Sequence, residues 1–299
     1  MPLVPNEAEA LVAFVGAGPG DPELLTIKAQ RLIAHADVII YADSLVSPEV
    51  CASARPDAAI YGSSTLTLEA IMAIMLDAVA QGRRVVRLQS GDPSLYGAIY
   101  EQMAILDQHG VPYIIVPGIS SAFAAAALLG AELTVPDVAQ TVILTRYAGR
   151  IPVPERESLH ALATHGATLC IFLSITRVHQ VVQELLAGGY APETPVAVVY
   201  RATWPDQMII RSTIATLAPD VRRARISRQA LILVGWALAP DTIAQSAHSY
   251  RSHLYRPDYT HLFRRGHSNS AIDATLVQPN VDSDISLPTS TTAADDHDS

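Results

Sequence analysis

Residues 12–21 read VAFVGAGPGD, and residues 22–33, PELLTIKAQRLI, follow at once. An apolar run that breaks into a glycine-rich turn and gives way to a helical period is the start of a strand–turn–helix unit, which points to an α/β fold. Asp21 is placed to cap the helix, Pro22 suits a first helical turn, and Leu25, Ala29, Leu32, Ile33 and Ala36 share one face. The turn also carries part of a dinucleotide-binding fingerprint. That fingerprint, G-x-G-x-x-G, needs a third glycine where helix packs on strand, and a helix N-terminus open to a pyrophosphate. Gly16 and Gly18 fit, but the third position is Asp21, whose carboxylate would repel phosphate. Asp43, at the end of the second strand, could serve as the ribose-binding acid. An NAD(P)-dependent oxidoreductase therefore stays open on this stretch alone.

Outward from this unit, β-rich runs at 11–15, 37–41, 58–61, 84–88 and 113–116 alternate with helical patterns. After Thr67, Ile71, Ile74, Met75, Ala78 and Val79 form a stripe that stops at Gly82. Near-continuous apolar strands separated by helices predict a parallel sheet covered on both faces. Beyond VPGISSAFAAAALLG (116–130) the pattern changes. Strands are expected at 140–146, 167–174, 195–200, 207–212 and 228–236, with one long helix at 176–188 built on Val178, Val181, Val182, Leu185 and Leu186. The gap between 200 and 207 is too short for a helical crossover, so those two strands should form an antiparallel hairpin in a mixed sheet. The expected organisation is two α/β domains, 11–117 with a mostly parallel sheet and 118–240 with a mixed one. An appendix at 241–265 and a disordered acidic tail at 266–299, rich in Ser, Thr, Asp and Pro, would follow.

The 299 residues include 20 Lys and Arg against 29 Asp and Glu, a formal charge of −9. The last nineteen residues hold five Asp and neither Lys nor Arg, which leaves about −4 for the rest, 20 basic against 24 acidic. That balance argues against a nucleic-acid partner, which relies on clustered cations. The longest weakly polar run, AFAAAALLGA (122–131), is too short to span a bilayer. The opening MPLVPNEAEA has neither the basic nor the apolar region of a secretory leader, so the cytoplasm is the expected compartment. Cys51 and Cys170 are far apart and suggest neither a disulfide framework nor a zinc site. The ten histidines show no HxxxH or HExxH spacing, so no protein-held metal is expected. Lys28 is the only lysine; every other basic residue is an arginine, whose planar fork suits carboxylate-bearing ligands.

Two further turns, SGDPSLYG (90–97) and VPGISS (116–121), follow the strands at 84–88 and 113–116. Three Gly/Pro turns should therefore share the carboxyl rim of one parallel sheet, where open α/β sheets bind ligands. None contains Lys and two contain Asp. Such a rim suits a ligand that is neutral or cationic at its centre and recognised by backbone groups. A sulfonium without phosphate, S-adenosylmethionine, meets these terms better than NAD does.

The set GAGPGDPELLTIKA, DVIIYADSLVS, RLQSGDPSLYG and VPGISS resembles the tetrapyrrole (corrin and porphyrin) methylases over roughly residues 11–240. Within that family, STLTLEAI (64–71), TRYAGRIPVPERESLHALATHGATLCIFLS (145–174), YRATWPDQ (200–207) and SHLYRPDYTH (252–261) are similar to the enzymes that methylate C11 of precorrin-4 or cobalt-precorrin-4 in cobalamin biosynthesis. Another tetrapyrrole position, on uroporphyrinogen III or another precorrin, is the alternative within the family. A non-catalytic tetrapyrrole-binding protein is a distant one.

The resemblance implies two α/β domains with the methyl donor in the cleft between them, and a homodimer. Carried onto matching positions, the donor site comprises Pro19, Gly91, Asp92, Leu95, Ser120, Ser121, Leu173, Ala202 and Ala230. Asp43 matches the acid assigned as proton acceptor in the uroporphyrinogen methylases. The lysine that those relatives use as a proton donor has no counterpart; Ser63 stands there. Arg146, Arg150 and Arg201 are candidates for clamping the substrate's acetate and propionate arms. Any cobalt would arrive inside the substrate.

Overall fold

The structure, a computed structural model, describes residues 9–239 and, beyond them, residues 252, 256, 258–260, 262 and 264–266. Residues 1–251 belong to one compact unit and residues 252–299 to another. Apart from the few positions just named, the expected appendix and the expected acidic tail lie outside the described residues. Within the second unit Arg256 pairs with Asp258 at 2.8 Å, and the Gly266 amide donates to Thr260 Oγ1 at 2.9 Å.

The first half of the larger unit runs β1 (Val12–Gly16), α1 (Ile27–His35), β2 (Val38–Tyr41), β3 (Ala59–Gly62), α2 (Leu68–Ala80), β4 (Val85–Gln89), α3 (Tyr100–Gln108) and β5 (Tyr113–Val116). All pairings are parallel, in the order β3-β2-β4-β1-β5. Alternate residues of each strand feed opposite layers, as the period of two demands. Ala13 and Val15 pack with Ala29 and Ile33 of α1, while Val12 and Phe14 pack with Ile71 and Met75 of α2 and Leu106 of α3. Both faces are covered, which is why these strands are apolar throughout.

The helix expected directly after the glycine turn is split. Asp21 caps a short 3-10 turn, Pro22–Leu24, by accepting the Glu23 amide at 2.9 Å; Leu25 then returns to an extended conformation. Thr26 begins α1 by accepting the Ala29 amide at 3.0 Å. The expected apolar face survives: Ala29, Ile33 and Ala36 are buried. The split matters for the ligand, because the N-terminus of α1 is displaced from the turn and Asp21 occupies the intervening cap. Among the described residues no α-helix begins directly at the glycine turn to receive a pyrophosphate.

The second half comprises α4 (Ser121–Leu129), β6 (Val142–Arg146), α5 (Leu159–Ala163), β7 (Thr168–Phe172), α6 (Val178–Ala187), β8 (Pro195–Tyr200), β9 (Met208–Thr213), α7 (Ile214–Ala224) and β10 (Ala230–Val234). The sheet order is β6-β7-β10-β8-β9, with β6–β7 parallel and the other pairings antiparallel. The expected hairpin pairs Pro195 with Thr213 and Tyr200 with Met208. One face packs Leu169, Ile171, Val198 and Ile232 on α6 and α7; the other packs Cys170, Val199 and Leu231 on α4. Helix α7 was not among the expected elements, and it carries Pro219 in its interior. It forms nonetheless: Ile214, Leu217, Ala218 and Val221 are buried on one face, and Thr213 and Thr216 cap its start reciprocally. The expected division at residues 117–118 falls in the connection from β5 to α4. Burial pushes the thiol pKa of Cys51 up to about 11 and that of Cys170 up to about 12, so neither is an activated nucleophile.

At the carboxyl ends of β1, β4 and β5 the chain approaches itself closely. A Cβ on Gly16 would stand 2.5 Å from the Gly118 Cα and N and 2.6 Å from the Gly91 carbonyl oxygen. Gly16→Ala should therefore destabilise the protein by about 1–3 kcal/mol or more in urea denaturation, through overpacking against backbone that cannot yield. Gly149→Ala, which meets nothing within 4 Å, should stay within about 0.5 kcal/mol of the native protein.

Candidate functional site

The rim is assembled from backbone. Gly18 and Gly91 exchange two hydrogen bonds, at 3.2 and 2.8 Å, which joins the first turn to the second. Asp92 joins the second to the third: its Oδ2 accepts the Gly118 amide at 2.9 Å, and its Oδ1 accepts the Ser94 amide at 2.8 Å. Burial pushes the Asp92 carboxyl up, but the hydrogen bonds from Ser94 and Gly118 outweigh it and hold the group ionised below the usual carboxylate range. Ser120 ends the third turn by capping α4 at Ala122.

The opposite wall comes from the second sheet, and its backbone is strained. Leu173 at the end of β7 has φ +53°, and Arg201 and Thr203 between β8 and β9 have φ +46° and +70°. Gln229, just before β10, has φ +50°. Left-handed conformations in non-glycine residues cost energy and gather where function needs a particular backbone path. Leu173 is also 65% exposed, with its side chain over the cleft.

Three contacts latch the walls together. Trp204 Nε1 donates to the Pro19 carbonyl at 3.0 Å, the Asp21 amide donates to Thr203 Oγ1 at 3.0 Å, and Gln229 Nε2 donates to the Ser44 carbonyl at 2.7 Å. Gly20 makes the first contact possible, since a Cβ there would lie 2.2 Å from the Trp204 ring. Arg201 backs the tryptophan, with its guanidinium 4.3 Å from the Trp204 ring centroid, its Nη1 on Asp206 at 2.6 Å and its Nε on Gln229 at 2.9 Å.

Between the walls lies a hollow of about 610 Å³ that continues into a recess of about 110 Å³ past Ser90, Ser121 and Leu173. The size suits a small-molecule ligand. Pro19, Ser121, Leu173, Ala202 and Ala230 line the larger space, together with Asp43 and Arg201. Gly91, Asp92, Leu95 and Ser120 line the recess. The structure thus places every expected donor-site position on one continuous cleft.

Asp43 stands at the end of β2 against Ser64, whose amide and hydroxyl reach its two carboxylate oxygens at 2.7 and 2.6 Å. The Ser64 hydroxyl, helped by backbone amides, holds the Asp43 carboxyl below its ordinary value, so it is an anion at neutral pH. Gly62 makes room for it: a Cβ there would lie 2.8 Å from Asp43 Cγ. Ser63 instead turns its hydroxyl to the Tyr41 carbonyl at 3.1 Å, and the neighbouring Ser64 is the residue that meets the acid.

The expected arginine cluster does not converge. The Arg146 guanidinium donates to the carbonyls of Ile151 at 3.0 Å and Pro152 at 2.9 Å, clasping its own loop, and neither Arg146 nor Arg150 lines the cleft. Arg228, which the sequence did not single out, lines the larger hollow beside Arg201. Thr203, Gln229, Phe172 and Tyr96 are likewise site residues without a sequence signal, since nothing in their local pattern announces a positive φ or a cleft-facing side chain.

The chain is similar to proteins of one family along most of its length. The family model described as Tetrapyrrole (Corrin/Porphyrin) Methylases matches residues 11–218. The chain is 49% identical over 253 residues to a cobalt-precorrin-4 C(11)-methyltransferase of Priestia megaterium, covering 85% of this chain and 97% of that one. It is 48% identical over 255 residues to a precorrin-4 C(11)-methyltransferase of Pseudomonas aeruginosa, covering 85% and 99%. Among solved structures, a cobalt precorrin-4 methyltransferase described as a cobalamin biosynthetic enzyme superposes with a TM-score of 0.76 at 49% identity, covering 80% of this chain and all of that one. A uroporphyrin-III C-methyl transferase from Thermus thermophilus, complexed with S-adenosylhomocysteine, gives 0.63 at 31% identity, covering 76% and 98%.

The latch has a direct readout. Trp204→Phe keeps a ring beside Gly20 and removes the Nε1–H donor, so amide exchange at Gly18, Gly20 and Asp21 should quicken by roughly three- to tenfold, the worth of one hydrogen bond. Amides of β10 should exchange as before; equal acceleration throughout would show that Trp204 supports the whole fold instead.

Proposed function

The chain belongs to the tetrapyrrole methylases, and from that membership we propose that it transfers the methyl group of S-adenosylmethionine to C11 of precorrin-4 or cobalt-precorrin-4. The observation that carries the proposal is the cleft itself. A recess of turn backbone and small side chains, lined by neither Lys nor Arg, adjoins a larger hollow that carries Asp43, Arg201 and Arg228 beside the remaining donor positions. The donor is held by Pro19, Gly91, Asp92, Leu95, Ser120, Ser121, Leu173, Ala202 and Ala230. The family supports this reading, as does the bound S-adenosylhomocysteine of the uroporphyrin-III relative.

The ring carbon attacks the sulfonium methyl in line, the C–S bond breaks, and its electron pair stays on sulfur to give S-adenosylhomocysteine. The cleft supplies positioning, which is worth orders of magnitude when the reacting atoms are held near contact. The methyl arrives as a formal cation, so a neutral product requires loss of a proton. Asp43, ionised and fixed by Ser64, is the acceptor on the substrate side of the cleft. Arg201 and Arg228 present positive charge to the substrate's carboxylates, whereas Arg146 orders the 147–152 loop that also holds Arg150. The same reading makes the protein a cytoplasmic homodimer. Among the described residues no helix is long and apolar enough to cross a membrane, and edge strand β3 leaves Ile60 and Tyr61 47% and 41% exposed.

Incubation with S-adenosylmethionine labelled in its methyl group tests the assignment, with precorrin-4, cobalt-precorrin-4 and uroporphyrinogen III offered in parallel. Label at C11 of either precorrin is expected; label only on uroporphyrinogen would overturn it. Asp43→Asn should lower kcat at least about 100-fold, the usual worth of a positioned base, while the Kd of S-adenosylhomocysteine changes less than about threefold. With the Asp43 pKa below its ordinary 3.8, the acid limb of the native pH–rate profile should lie below that value. Arg228→Ala should raise the substrate KM by about tenfold. Arg146→Ala should lower Tm instead, because it removes a clasp and no cleft contact.

A further inference from the structure

Gln89 ends β4, directly beneath the second turn. The residue is 6% exposed, and its Nε2 has no hydrogen-bond partner. A buried orphan donor costs about 1–3 kcal/mol, and native proteins rarely carry one without use. Arg87 on the same face of β4 and Gln102 of α3 show what a satisfied polar group looks like here. Arg87 Nε reaches Gln102 Oε1 at 3.4 Å, Arg87 Nη1 reaches the Ile40 carbonyl at 3.3 Å, and Gln102 Nε2 reaches the Ala98 carbonyl at 3.0 Å. The Gln89 main chain is also committed, its carbonyl accepting the Ala17 amide at 2.8 Å. The side-chain amide alone is spare, at a strand end fixed by the pairing of β4 with β1.

Gln89 is one of the residues lining the recess of about 110 Å³, with Gly91, Asp92, Leu95, Ser120 and Ser121, and its covered Nε2 lies one side-chain adjustment from that space. Asp92 accepts from Gly118 and Ser94, and it makes no hydrogen bond with Gln89 Nε2. No Lys or Arg lines the recess, so its side-chain donors are neutral. A neutral amide holds an oxygen without setting positive charge beside a sulfonium. We propose that Gln89 is a donor-binding residue, its Nε2–H hydrogen-bonded to an oxygen of bound S-adenosylmethionine. This rests on the reading of the cleft given above. The acceptor is either the methionyl carboxylate or a ribose hydroxyl.

Calorimetric titration of S-adenosylhomocysteine and of 5′-methylthioadenosine, which lacks the amino-acid end, tests the proposal on the native protein, Gln89→Met and Gln89→Glu. Methionine matches the length without a donor, and glutamate accepts but does not donate. Both variants should bind S-adenosylhomocysteine three- to tenfold more weakly or worse. The ligand-free Tm of Gln89→Met should equal or exceed the native value, because the orphan amide is gone; a merely structural glutamine would give the opposite sign. Equal losses for both ligands identify the ribose as acceptor, and a loss confined to S-adenosylhomocysteine identifies the carboxylate. Native-like affinity in both variants would overturn the proposal. A native protein that binds neither ligand would instead overturn the assignment of the cleft.

Discussion

The fold depends on one close approach. Gly16, Gly91 and Gly118, at the ends of three adjacent parallel strands, bring their backbones together so tightly that a Cβ on Gly118 would lie 2.2 Å from the Gly91 carbonyl oxygen and 2.7 Å from the Gly16 Cα. A methyl group on Gly16 or Gly118 would force the strand ends apart and tilt the turns that follow, whereas Gly91 is required by its φ of +63°. Because the strands are held by parallel pairing below, the turns inherit most of their geometry from the backbone. Asp92 completes it by tying the second turn to the third.

A rim made of backbone exposes amides and carbonyls, and it leaves room for adenine and ribose to approach. It needs an opposing wall, and the second sheet provides one at a conformational cost. Leu173, Arg201, Thr203 and Gln229 all hold positive φ, and three of them stand where β8, β9 and β10 turn toward the rim. The strain is offset by the contacts it allows. Thr203 and Gln229 bond directly to the first half of the chain, and Arg201 props the tryptophan that meets Gly20. The cleft is therefore bounded by two elements that constrain each other, which suits a reaction whose rate depends on placing a carbon against a methyl group.

Much of this was legible in the sequence, and the reason is periodicity. The strands of both sheets, the hairpin from β8 to β9 and the helices α2 and α6 follow from apolar spacing and turn residues. The three turns could be placed on one rim because parallel strands must end on the same side. What failed did so for identifiable reasons. Pro22 and Asp21 read as a helix start, but they serve a 3-10 turn, and Thr26 is the true cap. Helix α7 was not among the expected elements, and its buried face outweighs the amide that Pro219 lacks. Arg146 looked like a free cation at a strand end; its fork is taken by carbonyls that no linear pattern locates. The positive-φ wall, and the orphaned amide of Gln89, arise from tertiary constraint and leave no local signature.

The central claim is that the donor lies between the glycine rim and the strained wall. A crystal structure with S-adenosylhomocysteine tests it most directly. The account predicts the ligand in the cleft, in contact with the 91–95 and 120–121 turns on one side and with Leu173, Ala202 and Ala230 on the other. Density for the ligand elsewhere, for instance against the exposed edge strand β3 with both the recess and the hollow empty, would contradict it.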